Sequence, residues 1–361
     1  MPGNDSTIPQ SITALSVEHG LLLAAKDPEL SHLVKPDLAK LTQYFYEALL
    51  PKYSIRNGCS INRGNLTYRG LYLFPMSVQK KIIDNFGAIG FPQHIAMRKL
   101  LMEEQVQKAI EEGARQVLIV GSGYDVLVER LHNQYPEVTF IELDRGETLK
   151  NKIEILESFR KTQATHQIDC KNAFYIHCDL SKPDWYIKLC ALTQNNKPLF
   201  DPEKKSIAIL EGLTMYLTME QNVSLLTTLR DHLLNPESKI VLGFNKTNKY
   251  IKENKSAYAI ITEASESLLG ELTPQQIIPF TRELNLSLLG KASSEYFQEL
   301  NGNGEIIKHC DPRKLIVEDY YLLSTQPPSL HATQNINAIP DIHVTIPPRF
   351  EKQNQSYCII M

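Results

Sequence analysis

The chain is short of the features that mark several protein classes. No apolar run in its 361 residues approaches the roughly 20 that a membrane-spanning helix needs. Its six cysteines (Cys59, Cys170, Cys178, Cys190, Cys310 and Cys358) are scattered, with no CxxC pair. That excludes a disulfide framework and a zinc-ligand set, and predicts reduced thiols in a cytoplasmic setting. Cys170 and Cys178 would need a second pair of ligands, and none accompanies them, so no metal is expected. Basic excess is also missing. With 38 Lys and Arg against 41 Asp and Glu, the net charge is -3, and no nucleic-acid footprint is expected. The opening residues, MPGNDSTIPQ, are polar and carry no signal-peptide core. Internal repeats are absent. The 42% hydrophobic and 22% charged residues are those of an ordinary soluble globular protein.

What is present centres on Gln116–Asp125, QVLIVGSGYD. Val117, Leu118, Ile119 and Val120 break into Gly121-Ser122-Gly123, and a helical pattern follows. This is how a buried parallel strand ends in a glycine turn that opens a helix. Such a turn offers backbone N–H groups at a helix N-terminus, and glycine lets a ligand approach closely. Val126 stands where the third glycine of a dinucleotide fingerprint would be. Taken alone, the stretch fits either a nucleotide-type pocket or an ordinary strand–helix turn.

Around it the chain divides in three. Residues 1–94 read as a helical cap, apolar periodicity running from Ser11 to about Leu50 and a loop-rich stretch following with Arg56, Arg63 and Arg69. Residues 95–325 alternate helix and strand, with an insertion at about 246–284, and residues 326–361 read as a loose tail. A helix at 95–112 ends at Gly113. Strands are predicted at 116–120, 138–143, 173–177, 206–210, 239–244, 284–289 and 319–324. The helices between them fall at 124–134, 148–161, 185–194, 220–234 and, opened by Thr273-Pro274, 274–283. This rhythm predicts an α/β fold, a doubly wound, mostly parallel seven-stranded sheet with an N-terminal helical cap. Ligands of such sheets bind beyond the carboxyl ends of the strands.

Acids gather at those ends. Glu142 and Asp144 close the second strand about twenty residues after the first glycine, the spacing at which a carboxylate can take ribose hydroxyls. Asp179-Leu180 closes the third strand, an acid that can accept from an exocyclic amine beside an apolar side chain that can cover a base. Glu211-Gly212 closes the fourth. Each acid has an alternative as a solvated loop carboxylate or helix cap.

The stretch from Arg98 to about Phe244 resembles the leucine carboxyl methyltransferase family, including its bacterial branch of S-adenosylmethionine-dependent methyltransferases. The matching pieces are Ala96–Arg98, QVLIVGSGYD, FIELD (Phe140–Asp144), CDLSKPDW (Cys178–Trp185) and FDPEKKSIAILEGLTMYLTMEQ (Phe200–Gln221). The resemblance implies a class I, Rossmann-like methyltransferase fold and S-adenosyl-L-methionine as cofactor. It implies that Arg98 grips the methionine carboxylate of the cofactor. The turn Gly121, Ser122, Gly123 and Asp125 would pass beneath its amino-acid part. Asp144, with Glu142 as second candidate, would hold the ribose, and Asp179 and Leu180 would bracket the adenine. Glu211 would face the amine near the methyl group, and Tyr216 would lie on the substrate side, these two being the catalytic candidates. The chain departs from the family at two points. The Asp-Thr-Arg that often continues the glycine turn is Asp125-Val126-Leu127 here, and Arg145-Gly146 stands where a proline usually follows the acid of the second strand.

The function expected is therefore methyl transfer to an acceptor oxygen, a small-molecule or peptide carboxylate foremost. A carboxylate is ionised at neutral pH and needs no general base; a hydroxyl acceptor would need one, and His94 or His177 could be asked to serve. The alternatives are a Rossmann-type NAD(P)-dependent oxidoreductase and a non-catalytic, membrane-tethered module. The tether would come from Cys358-Ile359-Ile360-Met361, which matches a prenylation signal. One such chain anchors only weakly.

Overall fold

The computed structural model describes residues 12–55, 78, 90–162, 171–246, 267–294, 296–300, 305–306, 318–329 and 335–348. Arg56, Arg63, Arg69, residues 247–266 of the expected insertion and Cys358 lie outside the described residues. The elements in chain order begin with α1 (Ile12–Lys26), α2 (Pro36–Ile55), α3 (Phe91–Glu111), β1 (Gln116–Val120), α4 (Leu127–Leu131) and β2 (Thr139–Asp144). Then come α5 (Gly146–Thr162), β3 (Ala173–His177), α6 (Trp185–Ala191), β4 (Ser206–Leu210) and α7 (Met219–Thr228). Last are β5 (Lys239–Asn245), α8 (Ile277–Glu283), β6 (Ser287–Ala292) and β7 (Glu318–Ser324).

One seven-stranded sheet runs in the order β3-β2-β1-β4-β5-β7-β6. Strands β1 to β5 pair in parallel, whereas β7 lies antiparallel to both β5 and β6. The chain reverses its direction of travel across the sheet between β1 and β4, the switch point where open α/β sheets bind ligands. This is the doubly wound, Rossmann-like architecture expected from the sequence. Because both faces are covered, β1 carries no polar alternation. Val117 and Ile119 pack with Leu100, Leu101 and Val106 of α3 and Leu131 of α4. Leu118 and Val120 pack with Trp185, Leu189, Leu225 and Leu226 on the opposite side. Each such side chain contributes about 1.5–3 kcal/mol on burial.

Several element ends differ from the sequence expectation for local reasons. The cap region is two helices, not one long periodic segment, because Asp27-Pro28 and Pro36 break it around a short 3-10 turn at Ser31–Leu33. Helix α4 starts at Leu127, where Asp125 Oδ1 accepts the Leu127 N–H at 2.7 Å and holds 122–126 as a turn. Helix α6 stops at Ala191, since Asn195 and Asn196 (φ 51° and 61°) close a hairpin between Thr193–Gln194 and Lys197–Pro198. Helix α8 opens at Ile277; the side-chain Oε1 of Gln276 accepts from both the N–H and the hydroxyl of Thr273, so 274–276 form a turn. Part of the tail expected to be loose is laid on the sheet. Ile339 and Val344 are buried, Lys291 bridges Asp341, and the Glu104 carboxylate accepts the Thr345 N–H at 2.9 Å.

Candidate functional site

The site forms along the C-terminal edge of the parallel strands. Gly121 and Gly123, with φ of 75° and 50°, supply the left-handed backbone that folds the chain back from β1. A Cβ on Gly121 would stand 2.8 Å from Leu213 Cδ1, so the loop after β4 closes directly onto this turn. The N–H groups of the turn are not left open as the sequence suggested. Those of Gly121 and Ser122 donate to the Leu143 carbonyl (2.8 and 3.1 Å), and that of Gly123 to Asp144 Oδ2 at 2.5 Å. The turn is thus pinned to the end of β2 and offers no ready cradle for a pyrophosphate.

The two acids of β2 have different fates. Glu142 is fully buried in an ion pair with Lys152 of α5, beneath the strand end. Burial lifts its carboxyl to about 7 despite Lys152. Asp144 sits at the edge, its Oδ1 accepting the Arg145 N–H at 2.6 Å. Burial raises its pKa, and the bonds from Gly123 and Arg145 oppose the rise. Each of its oxygens has one backbone bond and a lone pair left for a hydroxyl. Asp179, at the exposed end of β3, accepts the N–H and hydroxyl of Ser181 at 3.1 and 2.6 Å, while Leu180 beside it is buried.

The loop after β4 is held rigidly. Gly212 (φ 62°) turns the chain past Arg98, whose Nη1 lies 3.7 Å from where a Cβ would stand. The Thr214 hydroxyl donates to the Gly243 carbonyl, and Asn222 Nδ2 donates to the Thr214 and Leu217 carbonyls. Thr218 and Gln221 form a capping box that opens α7. Tyr216 lies in this loop, half-buried, in the turn Thr214–Tyr216.

Beneath the loop is a buried charge cluster that brings together residues far apart in sequence. Glu211 Oε1 meets Arg98 Nε at 2.8 Å and Lys99 Nζ at 2.7 Å. Lys99 also pairs with Asp125. Burial alone would lower the Lys99 pKa, but Asp125 and Glu211 raise it above its ordinary value. The other end of Arg98 reaches Glu318 Oε2 at 3.3 Å. Glu318 enters because β7 is antiparallel, so its first residue, opposite Asn245, lies at the ligand edge. Gly243 makes room for it: a Cβ there would stand 2.5 Å from Glu318 Oε1. His94 Nε2 (3.2 Å) and the Tyr320 hydroxyl complete its partners. Burial lowers the His94 pKa in spite of Glu318, so a neutral imidazole sits beside an ionised carboxylate. His94 is 1% exposed and held in this cluster, away from any incoming acceptor, whereas His177 is exposed at the end of β3.

Of the residues singled out in the sequence, Arg98, Asp125 and Glu211 meet in this cluster and Asp144 lies at the edge of β2, while Lys99, Glu318 and Tyr320 were not singled out. At the two points where the sequence departs from the family, Lys99 places a cation beside Asp125, and Gly146 lies under the His177 ring, whose Nε2 would be 2.7 Å from a Cβ.

Comparison with known proteins yields a consistent set of likenesses. The profile of the leucine carboxyl methyltransferase family matches residues 70–230. A Mycobacterium tuberculosis protein, provisionally named an S-adenosyl-L-methionine-dependent methyltransferase, is 29% identical over 153 residues, 42% of this chain and 46% of its own length. A Mycobacterium marinum protein with the same name is 31% identical over 127 residues, 35% of each chain. The chain thus spans under half the length of the curated relatives it matches. Among solved structures, a duf574 family protein from Streptomyces avermitilis superposes with a TM-score of 0.50 at 14% identity. That superposition covers 78% of this chain and 97% of the other, and bears on the fold alone.

Proposed function

We propose, from the match of residues 70–230 to the leucine carboxyl methyltransferase family, that the chain is an S-adenosylmethionine-dependent methyltransferase acting on an acceptor oxygen, a carboxylate foremost. The observation that carries the reading is Asp144 at the end of β2, its carboxylate bound to the Gly123 N–H across the glycine turn. The residues present fit the cofactor. The turn has no unpaired N–H row for a pyrophosphate, which weighs against the dinucleotide alternative. One oxygen of Glu318, Oε1, is buried without a hydrogen-bond partner, while Oε2 is held by Arg98, His94 and Tyr320.

In this reading Asp144 holds the two ribose hydroxyls, and Asp179 and Leu180 flank the adenine. Arg98 and Glu211 take the carboxylate and the ammonium of the amino-acid part. Arg98 is already pre-set between Glu211 and Glu318, so its planar fork is oriented before a ligand arrives. The bound cofactor supplies a methyl already activated on a sulfonium. The protein's task is then orientation, bringing the acceptor oxygen into line, with Tyr216 in the loop after β4 as the acceptor-side group. A carboxylate acceptor asks for no general base, which agrees with His94 being locked against Glu318.

The test uses cofactor tritiated in the methyl group, with carboxylate, hydroxyl and amine acceptors. A carboxyl methyl ester releases volatile methanol on mild base treatment; ethers and methylamines do not. Base-labile label supports the carboxylate, base-stable label moves the assignment to another acceptor, and no transfer to any acceptor favours a module that has lost the activity.

A further inference from the structure

Helix α1 looks like a packing element, yet Glu18 does not suit that role. It is 2% exposed among Leu15, Leu21 and Leu22, and its Oε2 has no hydrogen-bond partner. A carboxyl in such a position is costly unless a charge answers it. Ala14, one turn earlier on the same face, lies 3.7 Å from where a Cβ on Gly123 would stand. Glu18 is thereby carried to the flank of the glycine turn.

The charged groups facing it come from every element packed there: Lys99 of α3, Asp125 after β1 and Lys152 of α5, with the Thr42 hydroxyl of α2 as polar neighbour. On its own helix, His19 is turned to stack on Tyr46, with ring centroids 5.1 Å apart. Both lysines are claimed elsewhere, Lys99 by Asp125 and Glu211 and Lys152 by Glu142. No cation is therefore left to pair with Glu18 alone.

We propose that Glu18 is a further binding residue of this pocket, its carboxylate meeting the positive charge of a bound sulfonium nucleoside, so that α1 forms a wall of the site. The inference rests on the methyl-donor reading above. Burial lifts the free Glu18 carboxyl to about 8, so without ligand it carries its proton through neutral pH. A cation set beside it lowers that value, and the proton passes to solvent as the ligand binds. S-adenosylhomocysteine lacks the methyl and with it the sulfonium charge, so it draws the proton out less.

Isothermal titration of both nucleosides at pH 7.5, in two buffers of different ionisation enthalpy, tests this in the wild type and Glu18→Gln. The expected result is proton release by the wild type that is larger for S-adenosylmethionine than for S-adenosylhomocysteine. Glu18→Gln should lose that release and bind S-adenosylmethionine roughly tenfold or more weakly, with a smaller loss for S-adenosylhomocysteine. Wild-type binding of both with equal or no proton release overturns the inference even if the variant fails to fold. Unchanged affinity and release in a folded Glu18→Gln overturns it as well. If neither nucleoside binds the wild type, the methyl-donor reading itself fails and this inference falls with it.

Discussion

The two edges of the central sheet handle charge in opposite ways. At the N-terminal edge, Lys239 pairs with Glu112 near solvent, with side chains 18% and 36% exposed, and Lys205 Nζ donates to the Glu112 carbonyl at 2.8 Å. At the C-terminal edge, Arg98, Lys99 and Glu318 are buried and share partners with the largely buried Glu211. Surface pairs of the first kind contribute about 0–1 kcal/mol. Pairs of the second kind lose several kcal/mol of hydration per ion, and that loss can exceed their mutual attraction. A fold needing stability alone would fill the C-terminal edge with apolar side chains. Charge kept there at such a cost is what the proposed ligand-binding edge requires.

Breaking the buried cluster should have the largest effect. Arg98→Ala leaves Glu211 and Glu318 without their shared cation. Chemical denaturation should show a loss of about 3–5 kcal/mol, and cofactor affinity should fall beyond detection in the same preparation. Next comes Gly121→Ala, which puts a Cβ against Leu213 at a φ of 75°. A loss of about 1–3 kcal/mol is expected by the same assay, whereas Gly113→Ala, with open space around its Cβ at a φ of 101°, should cost only the backbone strain.

Glu18 sharpens the comparison through pH. Its folded pKa of about 8 lies above the ordinary 4.5, so its contribution is fully present below pH 4.5 and is lost as pH rises through 8. Glu18→Gln should therefore melt higher than the wild type at pH 8.5 by a few degrees, and the gap should close at pH 5. A gap that stays constant with pH would contradict the assignment of that carboxyl. The smallest effect belongs to the other edge: Lys239→Ala should shift stability by less than about 0.5 kcal/mol and leave ligand affinity unchanged.

The parts of this molecule that were readable in the sequence are those where local pattern and burial agree. Strands 173–177 and 206–210 match β3 and β4 residue for residue, because short apolar runs between turn residues leave little choice of end. Arg98, Asp144 and Glu211 were legible as candidates because each adjoins a local signal. Glu318 was not, since nothing near it shows that β7 runs antiparallel and delivers its first residue beside a helix 220 positions away. Glu18 had a signal that went unused, a Glu-His pair within an apolar helix. The segment at 335–348 has no period because it docks through one bridge and a few bonds, with no ladder to impose one.

The central claim is that the C-terminal edge, with Asp144 at its heart, binds S-adenosylmethionine. Its most direct test is calorimetric titration of that nucleoside into the wild type and Asp144→Ala. Saturable binding at one site by the wild type, weakened roughly tenfold or more in the variant, is the predicted result. No binding by the wild type, or equal binding by a folded Asp144→Ala, would contradict it.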